Sequence, residues 1–124
     1  MAYCLFSLAF SIEAMTVHPC YLLNRWIWEK SVGGTDNPYV SNPKTIGFNK
    51  EVVFTSQGRV ITYKNTVEIR NNPYQVEKGI GYVDHLEHEL LSFEGTTYII
   101  ENIDNHNLTI LTNDAKAART IYKR

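Results

Sequence analysis

The segment DHLEHEL, residues 84–90, is the densest cluster of titratable side chains in the sequence. Its two histidines and three carboxylates have the composition of a metal-binding site. Helical His-x-x-x-His pairs chelate one ion because both rings lie on one face. In a strand, residues three positions apart point to opposite faces, so His85 and His88 cannot bind one ion without a bulge. The segment is therefore predicted to be a solvated, charged strand with no metal site.

The side-chain alternation changes phase at the end of this segment. His88 and Leu90 fit one inward face, whereas Leu91 and Phe93 fit the other. A bulge near residues 89–91 would reconcile the two patterns. It would leave His88 as a lone polar group in an apolar interior, where such a histidine is more often a core residue than a catalyst.

Catalytic motifs are not found elsewhere in the sequence. Residues 21–124 contain no nucleophile elbow, no phosphate-binding glycine loop and no Cys-His pair. Cys4 and Cys20 both precede this region, and the sequence gives little support for a disulfide between them. The formal charge of −1 argues against nucleic-acid binding. The sequence therefore predicts that the protein is not an enzyme and that it binds neither a cofactor nor nucleic acid.

The elements that carry these residues show a period of two from residue 24 onward. Eight or nine short strands follow one another at a spacing typical of sandwiches and barrels. TVEIR and YQVEKG count as separate strands, divided by NNP, and a helix is expected only near residues 17–24. Short connections favour antiparallel neighbours, and closure removes exposed edges. The predicted fold is an all-β, antiparallel up-and-down meander that closes into a barrel of about eight strands.

Residues 1–20 are set apart from the predicted barrel domain, residues 21–124. The run YCLFSLAFSI is too short to span a bilayer, and its length matches the apolar region of a secretory signal. No basic residue precedes it, however. Three interpretations stay open: a degraded or mis-started export signal, a short helix on the barrel, or a disordered tail. Export to the periplasm or cell envelope is expected, with no membrane span and little contribution of residues 1–18 to stability.

Several blocks resemble a known family. VFTSQGRVITY, YQVEKG, LLSFEGTTYIIENIDNHNLTILTND and the terminal TIYKR, together with the tryptophan-bearing first strand, resemble the small lipocalin-like domains of Bacteroidetes envelope proteins over residues 22–124. Asn24-Arg25-Trp26 stands where that family has Gly-x-Trp, and asparagine tolerates a positive φ. The resemblance implies an exported, eight-stranded up-and-down barrel. Lipid anchoring does not carry over, because neither cysteine fits the lipoprotein pattern.

The resemblance also implies how one end of the barrel is closed. Trp26 would lie across the closed end and pack against a basic side chain of the last strand. Arg119 and Arg124 are the candidates for that side chain, and Lys123 is a weaker one. Trp28 would face the same interior one layer higher.

Aromatic residues on the predicted inward faces could form a ligand site. They are Trp28, Phe54, Tyr63, Tyr74, Phe93 and Tyr98. Inside a barrel they could stack on a small apolar ligand. They could equally be core, since eight strands enclose a space that side chains can fill.

Two functions therefore remain open at this point. The first is a non-catalytic barrel that binds a small apolar ligand. The second is a filled barrel that acts as an envelope structural or protein-interaction module, including an inhibitor-like one, through the loop Thr35–Asn49. A cavity on the order of several hundred Å3 would favour the first.

Overall fold

The computed structural model describes residues 19–34 and 39–124, and these are almost entirely β-structure. The elements are α1 Pro19–Leu22, β1 Asn24–Val32, β2 Val40–Ser41, α2 Pro43–Ile46, β3 Lys50–Phe54, β4 Arg59–Lys64, β5 Val67–Ile80, β6 Glu87–Phe93, β7 Thr96–Ile103, β8 Asn107–Thr112 and β9 Arg119–Lys123. The all-β prediction is confirmed. Neither helix in this part of the chain has the length and apolarity needed to cross a membrane.

The strands form one closed antiparallel barrel. From β3 to β9 each strand pairs with the next in the chain, β1 pairs with β3, and β1 also pairs with β9 to close the ring. The short β2 pairs with Ser31 and Val32 of β1, beyond the last β1 residue that pairs with β3. The predicted up-and-down barrel of eight strands is therefore confirmed, with β2 as an additional short strand.

The core lies inside the ring and follows the period of two. Its largest fully buried side chains are Trp26, Phe54, Leu91, Leu108, Ile110, Val52, Val60 and Thr62. Seven of these eight are apolar, so hydrophobic burial is the main stabilising contribution. Thr62 is the exception, and it lies in the part of the interior described below as a polar chamber.

The fifth strand differs from the sequence prediction. TVEIR and YQVEKG are not separate strands, because Val67–Ile80 runs through NNP without a break. Pro73 is the last residue paired with β4, opposite Arg59, and Tyr74 is the first paired with β6. Proline cannot donate to a ladder, and here it lies where the strand changes neighbour.

A second helix also contradicts the prediction that helix could form only near residues 17–24. In α2 the Asn42 side chain accepts a hydrogen bond from the Thr45 N–H, Pro43 starts the first turn, and Gly47 ends the helix at φ 84°. Each is the preferred residue type for its position. The signal was therefore present in the sequence as Asn-Pro-x-Thr-x-Gly.

The bulge expected near residues 89–91 is wrong. The register of β6 with β5 runs unbroken from Phe93 opposite Tyr74 to Glu87 opposite Ile80. Leu91 is fully buried. His88 lies three residues from Leu91, on the opposite face of the strand. The histidine therefore faces outward and is not a core residue.

Candidate functional site

One end of the barrel is sealed by an indole ring under a guanidinium group. Trp26 is completely buried, and the guanidinium carbon of Arg124 lies 3.8 Å from its ring centroid. The indole N–H donates to the Leu22 carbonyl at 2.8 Å. Burial lowers the pKa of the Arg124 guanidinium from its ordinary value. Trp26 and Arg124 thus make the contact that the resemblance implied.

Arg124 also ties α1 to this end. Its two terminal nitrogens donate to the carbonyls of Leu23 and Tyr21, each at 2.6 Å, and its Nε donates to the Asn105 carbonyl at 3.0 Å. The last carbonyls of a helix have no partner within the helix. The guanidinium supplies that partner, so α1 and the β7–β8 turn close over the indole together.

Arg119 does not take part in this closure, although the sequence made it a candidate. It is bidentate on Glu101, at 2.6 and 3.0 Å. In the β1–β9 register Arg119 lies opposite Val32, whereas Lys123 lies opposite Ile27. Five residues of strand separate Arg119 from Arg124, roughly 16 Å, which places Arg119 at the other end of the barrel.

Four of the six predicted ligand-binding aromatics pack against one another. The Phe54 ring lies 5.0 Å from Tyr74 and 6.0 Å from Phe93, edge to face in both cases. The Phe93 ring stacks on Tyr98 at 5.2 Å. The Tyr74 hydroxyl donates to the Thr55 carbonyl at 2.9 Å. Contacts of this kind fill the interior and leave little space for an apolar ligand.

Trp28, the fifth predicted residue, is also packed. It is 5% exposed, its indole N–H donates to Ser31 Oγ at 2.9 Å, and its ring lies 6.4 Å from Phe48. A buried indole with a satisfied N–H is an ordinary core residue.

Tyr63, the sixth, lies on the outside of the barrel, and its assignment to the interior is wrong. The buried residues of β4 are Val60 and Thr62, so the next side chain points outward. Tyr63 is opposite Glu51 in the β3–β4 register. The Arg25 guanidinium lies 5.5 Å from the Tyr63 ring and forms an ion pair with Glu51.

A small cavity lies in the half of the barrel away from Trp26, and we call it the polar chamber. Its volume is about 90 Å3. It is lined by Ser31, Lys50, Val52, Thr62, Arg70, Phe93, Glu94, Tyr98, Ile110, Thr120 and Tyr122. The volume corresponds to about three water molecules at ~30 Å3 each.

Sequence reasoning placed only Phe93 and Tyr98 of this set in a site. Lys50 and Thr62 could have been found, because each alternates with a buried valine of its own strand, Val52 and Val60.

Two hydroxyls of buried residues line the polar chamber and have no partner in the described part of the chain. Thr62 is 1% exposed and Tyr122 is 3% exposed, and neither hydroxyl makes a hydrogen bond with residues 19–34 or 39–124. Burial raises the pKa of the Tyr122 hydroxyl well above its ordinary value. Both groups are therefore neutral donors available to something inside the chamber.

Three charged side chains line the polar chamber and leave a net positive charge. At its mouth Arg70 Nε donates to Glu94 Oε2 at 3.2 Å, and Asn72 donates to the same oxygen at 3.3 Å. Lys50 is half-buried and forms no hydrogen bond or ion pair with the residues that the structure describes. Burial and, secondarily, Arg70 lower the pKa of Lys50, while Glu94 opposes the shift.

The histidine cluster that opened the sequence analysis stabilises a surface loop. His88 Nε2 lies 2.7 Å from Asp84 Oδ2, and the Leu86 N–H donates to Asp84 Oδ1 at 2.9 Å. These two contacts, the Leu86 bond first, lower the pKa of the Asp84 carboxyl. Within residues 19–34 and 39–124, no three His, Cys, Asp or Glu side chains are grouped to hold a metal ion. Cys4 lies outside the described residues, so the structure does not test a disulfide between Cys4 and Cys20.

Fold and site together define a closed eight-stranded antiparallel barrel, sealed by Trp26 and Arg124 at one end and holding a small polar chamber toward the other. Comparison of the chain with protein-family models, curated proteins and solved structures finds no match. The resemblance to lipocalin-like domains therefore rests on the sequence motifs alone.

Proposed function

We propose that the protein is a non-catalytic binding module that seats the polar end of a small ligand in the polar chamber. One observation carries the proposal: the Thr62 and Tyr122 hydroxyls and the Lys50 ammonium line the chamber without a partner among residues 19–34 and 39–124. A ligand that accepts hydrogen bonds from these three groups would satisfy all of them at once.

A polar ligand fits better than the apolar ligand expected from the sequence. The chamber volume of about 90 Å3 is far below the ~300–1,000 Å3 of pockets that enclose drug-sized ligands. The aromatic side chains that would have lined an apolar pocket contact one another instead. The chamber suits a polar group, with the remainder of the ligand lying toward the mouth.

The absence of a joined acid–base pair supports a binding role over an enzymatic one. Among the described lining residues, no nucleophile is hydrogen-bonded to a base. Their polar contacts with one another are the Arg70–Glu94 pair and the Ser31–Thr120 pair, the latter at 3.4 Å. General acid–base catalysis needs such a positioned pair.

Export to the periplasm or cell envelope belongs to the same proposal. It is supported by the signal-length apolar run at residues 3–12, which lies outside the described residues.

Native mass spectrometry of protein purified from its source tests both points in one measurement. The expected result is a retained small-molecule mass and a mature chain that starts after the apolar run. A Lys50→Met/Thr62→Val double variant should lose that mass, whereas Lys64→Met, an exposed residue directly opposite Lys50 in the β3–β4 register, should keep it. A wild-type protein with no retained mass, or equal retention in both variants, would refute ligand binding in the chamber.

The loop Thr35–Asn49 supports a second candidate, a protein-interaction role. Residues 35–38 of this loop lie outside the described part of the chain. Among those described, Tyr39, Val40 and Ile46 are 51%, 60% and 41% exposed. Exposed apolar side chains on one loop are a feature of protein contact sites. A photo-crosslinker at Val40 should label one envelope protein, and labelling that a Tyr39→Ser/Ile46→Ser variant leaves unchanged would exclude this role.

A further inference from the structure

Several side chains of the polar chamber can donate hydrogen bonds to one ligand. The Lys50 ammonium and the Arg70 guanidinium can only donate, and the Thr62 and Tyr122 hydroxyls can donate to a ligand because no described residue occupies them. Donors converging on one space select a group with several acceptor oxygens. A neutral apolar group would leave the donors of Lys50, Thr62 and Tyr122 unpaired.

The charges of the chamber point to the same kind of group. Lys50 and Arg70 bring two positive charges, and Glu94 is the one carboxylate among the described lining residues. Burial lowers the pKa of Lys50 and the nearby Arg70 lowers it further, so the two cations destabilise each other. A second negative charge would restore balance, and guanidinium groups bind planar oxyanions in bidentate geometry.

The carboxylate of Glu94 is held at Arg70 only by long hydrogen bonds. Its contacts with Arg70 and Asn72, at 3.2 and 3.3 Å, are longer than the 2.7–2.9 Å typical of charge-assisted hydrogen bonds. It lies on the tight turn between β6 and β7, at φ 53°, next to Gly95 at φ 79°. Half of the Arg70 side chain, 46%, is in solvent. An incoming anion can therefore reach Arg70 and compete with Glu94 for it.

We propose that the ligand carries an oxyanion, a carboxylate or a phosphoryl group, which enters the polar chamber between Lys50 and Arg70 and displaces Glu94. This rests on the proposed binding function and names the chemical class of its ligand. Thr62 and Tyr122 donate to the same group from the floor of the chamber. A carboxylate or phosphate has three to five heavy atoms, which suits a space of about 90 Å3.

Isothermal titration calorimetry at constant ionic strength tests this, with inorganic phosphate and acetate as anionic probes and glycerol as a neutral one. Lys50→Met and Arg70→Met should each weaken the affinity for the anion at least tenfold. Lys64→Met, the matched control, should leave it within twofold. Glu94→Gln should raise the affinity severalfold, because it removes the competing charge. Arg70→Lys, which keeps the charge but loses the bidentate geometry, provides a second variant if Arg70→Met unfolds.

Each outcome decides the proposal. Binding of phosphate but not acetate assigns a phosphoryl ligand, and the reverse assigns a carboxylate. Equal losses in Lys64→Met and Lys50→Met would show a general surface ion effect and overturn the oxyanion site. Glycerol binding that exceeds anion binding would overturn the oxyanion class and leave the binding function intact. No binding of any probe, combined with no retained mass in native spectrometry, would overturn both.

Discussion

Removing the indole that seals the barrel should be the most costly single change to its stability. Trp26 is completely buried among core residues, and truncation of such a ring costs about 3–5 kcal/mol. For 124 residues the entropy of unfolding is roughly 260 cal/mol/K, at ~2.1 cal/mol/K per residue. Trp26→Ala should therefore lower the melting temperature by about 12–19 °C. Trp26→Phe keeps a ring and should fold, although it loses the hydrogen bond to the Leu22 carbonyl.

The guanidinium over the ring adds a term that can be measured separately. A cation over indole contributes about 0.5–2 kcal/mol, depending on exposure. Arg124→Met keeps the length of the side chain but loses the charge and the donors to Leu23 and Tyr21. A double-mutant cycle between Trp26→Ala and Arg124→Met should give a coupling free energy in that range.

Urea denaturation followed by circular dichroism provides each free energy of unfolding. Arg119→Met is the control, because its exposed pair with Glu101 is worth at most about 1 kcal/mol. A loss below about 1 kcal/mol for Trp26→Ala, or no coupling with Arg124, would refute the sealed end. In that case the 3.8 Å contact between Arg124 and the Trp26 ring would have no energetic role.

Three more predictions follow from the same structure. Tyr63→Ala should cost less than about 1 kcal/mol in urea denaturation and Phe93→Ala about 3–5 kcal/mol, and equal losses would put Tyr63 in the core. Oxyanion affinity in calorimetry should fall as the pH rises through the pKa of Lys50, which is lowered from its ordinary 10.5. Over the same pH range the free energy of unfolding should rise, because the unfolded state keeps the Lys50 proton to higher pH than the folded state does. A Lys50→Met variant with the same pH profiles would contradict this. Deleting residues 1–18 should leave the melting temperature nearly unchanged. Deleting residues 1–23 should lower it, because this removes the carbonyls that Arg124 binds. Equal effects of the two deletions would be inconsistent with docking of α1.

The barrel could be predicted because its determinants are local. Alternation such as that of Trp26 and Trp28, and turns such as that at Gly58, depend on neighbouring residues and survive in a single sequence. The sealing contact was also within reach, although choosing Arg124 over Arg119 required the register of the last strand. That register pairs the last strand with β1, which lies far away in the chain, so the pattern of the last strand alone did not decide it.

The polar chamber could not be predicted, since it depends on where the alternation is interrupted. In β5 the residue Ile69 is extra: Tyr63 pairs with Glu68, and Thr62 pairs with Arg70. Without the bulge, Thr62 would face Ile69 and the chamber would hold an isoleucine. The sequence EIRNN contains no glycine or other residue type that marks this position.

A second bulge acts on the opposite wall of the chamber in the same way. In β1, Trp28 pairs with Tyr122 and Ser31 with Thr120, so Glu29 is the extra residue. An unbroken strand would turn Lys30 inward, where a third cation would face Lys50 and Arg70. The bulge puts a serine there instead, whose hydroxyl accepts from the Trp28 indole.

One bulge thus brings a cation into the chamber and the other keeps one out. A barrel that only needed to be filled would bury more apolar surface with Ile69 in this place than with Arg70, whose side chain is half in solvent. The exchange is understandable if Arg70 binds a ligand, and that ligand is the oxyanion we propose.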